Sequence, residues 1–544
     1  MDRRSFLRSA TPLLPEALAT AALPADPPFE YLPGRFSDPR LPIRWTSSEA
    51  ERPAPAPPSG EPLRTQTGLE PFVPSADAPW DRRRALHLLR RTGFGARPED
   101  ADVVLALTPA AAVDALVDAT LEASLPPVPP WIDEPPPPPD APPGELDSYI
   151  QQTIQWIYDT EHEVYREALV LRAAGTAFRE RLALMWHNHF VTGLEDYFLA
   201  PWLYRYWTLL RTHALGDFRQ FVYEIGLTPA MLIYLNGIQN RVGEPNENYA
   251  RELLELFTMG ITGPDGTPNY TQDDIEELAR ALTGWTVDLY GTLESVFIPP
   301  WHDAGTKTIF GQTGTWGYDD VVPLLFAQRA PQIAYHIADV LYREFVYEVP
   351  DPDVVADLAA ELEANDFQLE PTVRTLLRSA HFFDAATIGA RVKSPAGLTL
   401  GLYHEIGLAE DIELFEITRF VMALTNQRLF QPPNVAGWPG YRAWLDANTL
   451  PLRWLYGDAM LPQQQTLQAL ALELPNPFDP YALTADFAAH FFAVPVGPDT
   501  LASYVEILLN GIPDYEWNPN DPGAEARLLG LAAHLLRLPE YQLT

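Results

Sequence analysis

Thr271-Gln-Asp-Asp-Ile-Glu-Glu-Leu-Ala-Arg-Ala-Leu-Thr-Gly-Trp285 is the stretch whose reading decides the fold class. Thr271 and Asp274 form a capping box. The threonine oxygen accepts from a backbone N–H that the first helical turn leaves unpaired, and acids in that turn suit the positive end of a helix. Behind the box, Ile275, Leu278, Ala279, Leu282 and Trp285 recur at i, i+3, i+4, i+7 and i+10, which is one apolar stripe of a helix.

The same period extends outward in both directions. Residues 84–95 read as a helix stopped at Gly93, and 98–121 as a second one. Long helical patterns fill 146–213, with Ile150, Ile154, Ile157 and Tyr158 on one stripe, and continue over 217–235. They return at 319–346, 353–364, 368–380, 395–406, 411–428, 451–472, 480–491, 498–510 and 523–537. Three segments break the pattern. Residues 126–143 include five consecutive prolines from Pro135, which no helix accommodates. In 286–318, Val287, Tyr290, Val296 and Ile298 suggest a short hairpin or an irregular loop, and 432–448 is a Gly/Pro/Trp loop. No βαβ alternation and no repeat of fixed period is evident. The expected class is mostly α: a multi-helix globular body with long Gly/Pro/Trp-rich loops and an extended N-terminal leader.

At the N-terminus, Arg3-Arg4-Ser5-Phe6-Leu7-Arg8 precedes a modestly apolar run ending in small residues, the order of a twin-arginine export signal. The expected organisation is therefore a signal over 1–24 and a Pro-rich leader over 25–80 that trails in solvent or wraps the body. A helical body over 81–460 and a C-terminal helical extension over 461–544, packed on the body, complete it. The expected location is outside the cytoplasm, periplasmic or at the cell surface. A net charge of −36 repels nucleic acid and anionic lipid, so no nucleic-acid partner is expected. No run approaches the roughly 20 apolar residues of a spanning helix, so no transmembrane anchor is expected. With no cysteine in the chain, disulfides, iron–sulfur clusters, thiolate zinc sites and cysteine nucleophiles are excluded, and any metal must have O or N ligands.

Several segments taken together resemble the bacterial domain of unknown function 1800 family. They are His87-Leu-Leu-Arg90 with Gly93-Phe-Gly95, Met185-Trp-His-Asn-His-Phe190, and Asn246-Glu-Asn-Tyr-Ala-Arg-Glu-Leu-Leu-Glu-Leu-Phe257. Tyr270 through Trp285, His302-Asp-Ala-Gly305 with Lys307 and Gly311, Arg391-Val-Lys-Ser-Pro395 and Gln431-Pro-Pro-Asn-Val-Ala-Gly-Trp-Pro-Gly440 complete the set. The resemblance implies an exported, largely helical protein and supplies no reaction. It also implies a partner, because such proteins tend to be encoded beside an exported family that resembles alkaline phosphatases and sulfatases.

Three constellations carry candidate chemistry. His187 and His189 point about 200° apart on a regular helix and share an ion only if the helix ends there; otherwise they are core and surface residues. On the helix expected over 246–260, Asn248, Arg251, Glu252 and Glu255 share the polar face. Glu252 and Glu255 there either bind one cation or form a solvated, ion-paired face. In the irregular loop, His302 and Asp303 offer an imidazole and a carboxylate for a metal or for general-base work, or else form a surface turn. One polar cleft built from His187, His189, Glu252, Glu255, His302 and Asp303 would hold a divalent cation. His302, Asp303 and Glu252 would then be catalytic in metal-assisted hydrolysis. Arg391, Lys393 and Arg453, with Asn434 and Arg442, are candidate anion ligands or neutralise buried acids. His336, His381 and His404 read as packing or surface residues, and Ser394 as a helix cap. The alternative function is a non-catalytic scaffold that binds the sulfatase-like neighbour or a surface polymer, with the loops around Trp301, Trp316, Trp438 and Trp444 as contact surface.

Overall fold

Residues 62–63, 65, 67–169, 175–463 and 466–544 are described by a computed structural model; the expected signal over 1–24 and most of the leader lie outside them. Among the described residues there are 21 α-helices and four strands of three residues each, and the molecule is mostly α. The helix Gln272–Ala281 forms as its box dictates. Thr271 accepts from the Asp274 N–H at 3.2 Å, and Asp274 accepts from the Thr271 N–H at 2.9 Å. Ile275, Leu278, Ala279 and Leu282 are buried. Trp285 lies beyond the helix: Gly284, at φ +102°, turns the chain, and Trp285 opens a strand paired with Phe297.

At two places where the observed helices differ from the periodicity, proline accounts for it. The segment 98–121 is two helices, Pro98–Leu105 and Pro109–Glu122, bent by 116°. Thr108 caps the second and Pro109 starts it, a residue with no N–H to continue the first. Tyr318–Phe345 is kinked at Arg329, two residues before Pro331. The irregular stretch 286–318 holds two small antiparallel hairpins, Trp285–Val287 with Ser295–Phe297 and Lys307–Ile309 with Gln312–Gly314.

The described part of the leader wraps the body. Pro71 bridges to Ser379, Phe72 N donates to Arg378 O, and Trp80 Nε1 donates to Leu107 O at 3.0 Å. One large apolar core, with Trp186, Trp202 and Trp207 fully buried, runs through the helices from Arg82–Thr92 to Ala524–Leu536. The last helices and residues of the chain pack back on earlier segments. Arg90 on the helix Arg82–Thr92 donates to the carbonyls of His490 and Phe492, and Leu543 bridges to Val392. No single described helix is long and apolar enough to cross a membrane.

Candidate functional site

The helix Glu247–Glu252 continues as a π-helical turn over Leu253–Thr258, which leaves the carbonyls at its end without partners in the helix. Side chains from three other segments satisfy them. His336 Nε2 donates to Leu256 O at 2.9 Å and His189 Nε2 to Phe257 O at 3.0 Å. Asn269 Nδ2 donates to Met259 O at 2.7 Å and to Gly260 O at 3.1 Å. His189 therefore acts as a helix terminator. Burial, then the neighbouring His336, push its pKa down to about 3, so the ring is neutral.

His187 faces elsewhere. The helix Thr176–His189 runs through both histidines, so the two rings leave it on different sides. Tyr206 Oη donates to Phe190 O at 2.6 Å, so its proton is engaged and it accepts from His187 Nδ1 at 2.8 Å. His187 Nε2 then carries a lone pair. It is buried without a hydrogen-bond partner, and the rings of Trp207, Phe430 and Trp438 surround the imidazole. Burial pushes this pKa down to about 3 as well.

Glu252 is completely buried rather than on a solvated face, because Tyr249, Ala250, Leu253, Leu254 and Phe257 bury most of the helix circumference. Glu255 pairs with Arg251 at 3.3 Å. Asp303 receives Arg280 Nε at 2.8 Å and the Gly305 N–H at 2.8 Å. Against the effect of its partial burial, the Arg280 hydrogen bond holds its carboxyl below the usual range. Lys307 is buried with Nζ on the carbonyls of Asp303 and Gly305. His302 Nδ1 donates to Thr283 O at 3.0 Å, which turns Nε2 toward Gly317. Among the described residues, no group of three His, Asp or Glu side chains is placed to hold one metal ion. The six expected ligands are thus not brought together, and the groups present do not fit a shared divalent cation.

The basic candidates separate into two sets. Lys393 is buried, with Nζ 3.4 Å from Glu405 Oε1 and 3.7 Å above the Tyr541 ring. Burial pushes its pKa down to about 8; Glu405, despite burial, is held low by Lys393 and Arg90. Arg453 ties Lys393 O to Gln542 Oε1 at 2.6 and 3.1 Å, and burial lowers its pKa to about 10. These two cations are internal ties. Arg391 is more open and meets Glu344 Oε2 at 3.5 Å, on the other side of which Arg181 Nε donates to Glu344 Oε1 at 2.6 Å. Arg91, Arg181 and Glu344 were not apparent as site residues from the sequence. Arg91 sits within a helical stripe, and nothing in its spacing signals that it is buried.

Around this second set, stretches far apart in sequence converge. Asn188 Oδ1 accepts the Trp438 N–H at 2.6 Å, and Val392, Trp438 and Trp444 form a small apolar cluster against Leu184. Tyr441 and Tyr347 share a hydrogen bond of 3.0 Å between their hydroxyls. Trp438 and Trp444 are buried and belong to the interior, not to an exposed contact loop.

The molecule is thus a helical protein in which arginines, buried carboxylates and an aromatic loop meet beneath the last residues of the chain. The family described as Protein of unknown function (DUF1800) matches residues 87–543, and the chain belongs to that family. The match reaches past residue 460 and takes in the helices expected to form an extension. Comparison with curated proteins and with solved structures yields no match.

Proposed function

We propose that this is an exported, non-catalytic binding protein that docks a cationic face of another exported protein, of the alkaline phosphatase or sulfatase kind implied by the resemblance. One observation carries the reading: large exposed aromatic side chains are gathered at one place. Tyr515, Phe478 and Tyr481 are 82%, 60% and 56% exposed. Hydrogen bonds join their segments, Tyr481 Oη to Asp514 at 3.2 Å and Trp517 Nε1 to Pro477 O at 2.9 Å. Between Arg453 and Arg527 the chain has no lysine or arginine and ten acidic residues, among them Asp479, Asp514 and Glu516 beside these rings. Exposed aromatic groups are typical anchors of protein interfaces, and their faces attract cations. The surrounding negative field steers a basic partner toward them. Export rests on the Arg3-Arg4 signal and agrees with the absence of cysteine.

A labelled 12-residue peptide of alternating arginine and leucine tests the docking face by fluorescence anisotropy. The double variant Tyr515→Ser, Phe478→Ser is expected to bind at least fivefold more weakly, and the exposed control Ile261→Ser as tightly as the native chain. Equal binding by all three proteins means bulk charge attraction and overturns the reading. Hydrolysis of phosphate or sulfate esters by the purified protein, lost in His302→Gln, would replace it with the hydrolytic one.

A further inference from the structure

Three arginines from three separate segments surround one carboxylate. Arg91 lies on the helix Arg82–Thr92, Arg181 on Thr176–His189, Arg391 just before Pro395–Glu405, and Glu344 on Tyr318–Phe345. Glu344 bridges Arg181 and Arg391. Arg91 stands beside them. Its Nη2 donates to Thr387 O and to Thr544 O, and Thr544 pairs through its backbone with Arg391.

Two of the Arg91 donors are unmade. Arg91 is 1% exposed, and its Nε and Nη1 are buried with no hydrogen-bond partner. Unmade donors on a buried cation are costly, and native interiors seldom leave them so. Burial, then repulsion by Arg391 and Arg181, pull the Arg91 pKa well below its ordinary value. The next acid, Glu348, has its pKa raised by burial, against the pull of Arg391 and Arg343.

Arg181 also lies over the first turn of Pro395–Glu405. Its Nη1 is 3.8 Å from where a Gly397 side chain would begin, against the positive end of that helix. The N–H groups of this turn are already engaged: Ala396 N donates to Gln427 at 2.8 Å and Gly397 N to Ser394 at 3.0 Å. The helix therefore adds field without competing as a donor. The cluster is reachable, since the side chains of Arg391 and Glu344 keep 16% and 17% of their surface exposed.

We propose that Arg91, Arg181 and Arg391 form a binding site for a tetrahedral oxyanion, a sulfate or phosphate group. Glu344 already serves Arg181 and Arg391 as a planar carboxylate. A third guanidinium with open donors suits an anion that accepts from several directions at once. This inference does not depend on the docking face, which is a different surface with its own test.

Calorimetric titration of the full chain with inorganic sulfate and with inorganic phosphate, at ionic strength matched with chloride, tests the site. Saturable one-to-one binding is expected, weakened at least tenfold in Arg391→Gln and in Arg181→Gln. It is expected to be unchanged in Arg428→Gln, an exposed arginine paired with Glu195. Phenyl sulfate and phenyl phosphate in the same titration separate the two sources. Binding as tight as that of the free ions marks a group carried on a larger molecule, and binding of the free ions only marks an ion site. Absence of saturable binding to the native chain, or native affinity in both variants, overturns the proposal. Circular dichroism checks each fold; should Arg391→Gln not fold, Arg181→Gln decides.

Discussion

At Gly437 the backbone stands at φ +80°, and a side chain there would begin 2.3 Å from Asn188 Oδ1 and 2.6 Å from Asn188 O. The position joins the aromatic loop to the end of the helix Thr176–His189. Gly437→Ala is expected to destabilise the fold by about 2 kcal/mol or more, from the strained φ and the clash together. Gly243→Ala, at φ +86° with nothing within 4 Å, is expected to lose only about 1 kcal/mol. Urea unfolding of both variants checks the difference, and equal losses would contradict the account of the joint. None of this was readable from the sequence, where Asn188 was only the residue between two histidines. The residue types at His187, Lys393 and Arg391 were legible as chemistry. Their partners Tyr206, Glu405 and Glu344 were not, because each is supplied by a distant segment.

Elements with local signals read well. The box at Thr271 and Asp274 and the cap at Ser394 formed as their residues dictate. The division of 98–121 was legible in principle at Thr108-Pro109, but the apolar period continues across it and hides the break. The π-turn at Leu253–Thr258 was not legible, since a 3.6-residue wheel assumes an unbroken ladder of i to i−4 bonds. Its dependence on neutral imidazoles has a consequence for acid stability. The His189 pKa is about 3 in the folded protein and near 6.5 when unfolded, so below 6.5 only the unfolded chain takes the proton. Its stabilising contribution is complete above pH 6.5 and falls as pH drops toward 3, by up to about 1.4 kcal/mol per pH unit. His189→Gln retains a donor for Phe257 O and is expected to flatten this limb in urea unfolding measured from pH 7 to pH 4. An unchanged slope would show that His189 does not carry it.

At the scale of the whole molecule, composition and period were enough for the fold class but not for its closure. The sequence led to an expected C-terminal helical extension packed on the body, but not to the residues it would touch. The observed bonds run from Arg83 and Arg90 to residues 490–493, and from Arg391 and Lys393 to residues 542–544. Such contacts span most of the chain, and proteins dominated by distant pairings fold slowly. The bridge between Val392 and Leu543 thus has a bearing on biosynthesis. A nascent polypeptide that does not yet include Tyr541 and Gln542 lacks the residues that cover Lys393, Glu405 and Arg453, so its interior stays open until they are made. Stalled chains ending at residue 500 are expected to be digested by protease within minutes under conditions that leave the released protein intact.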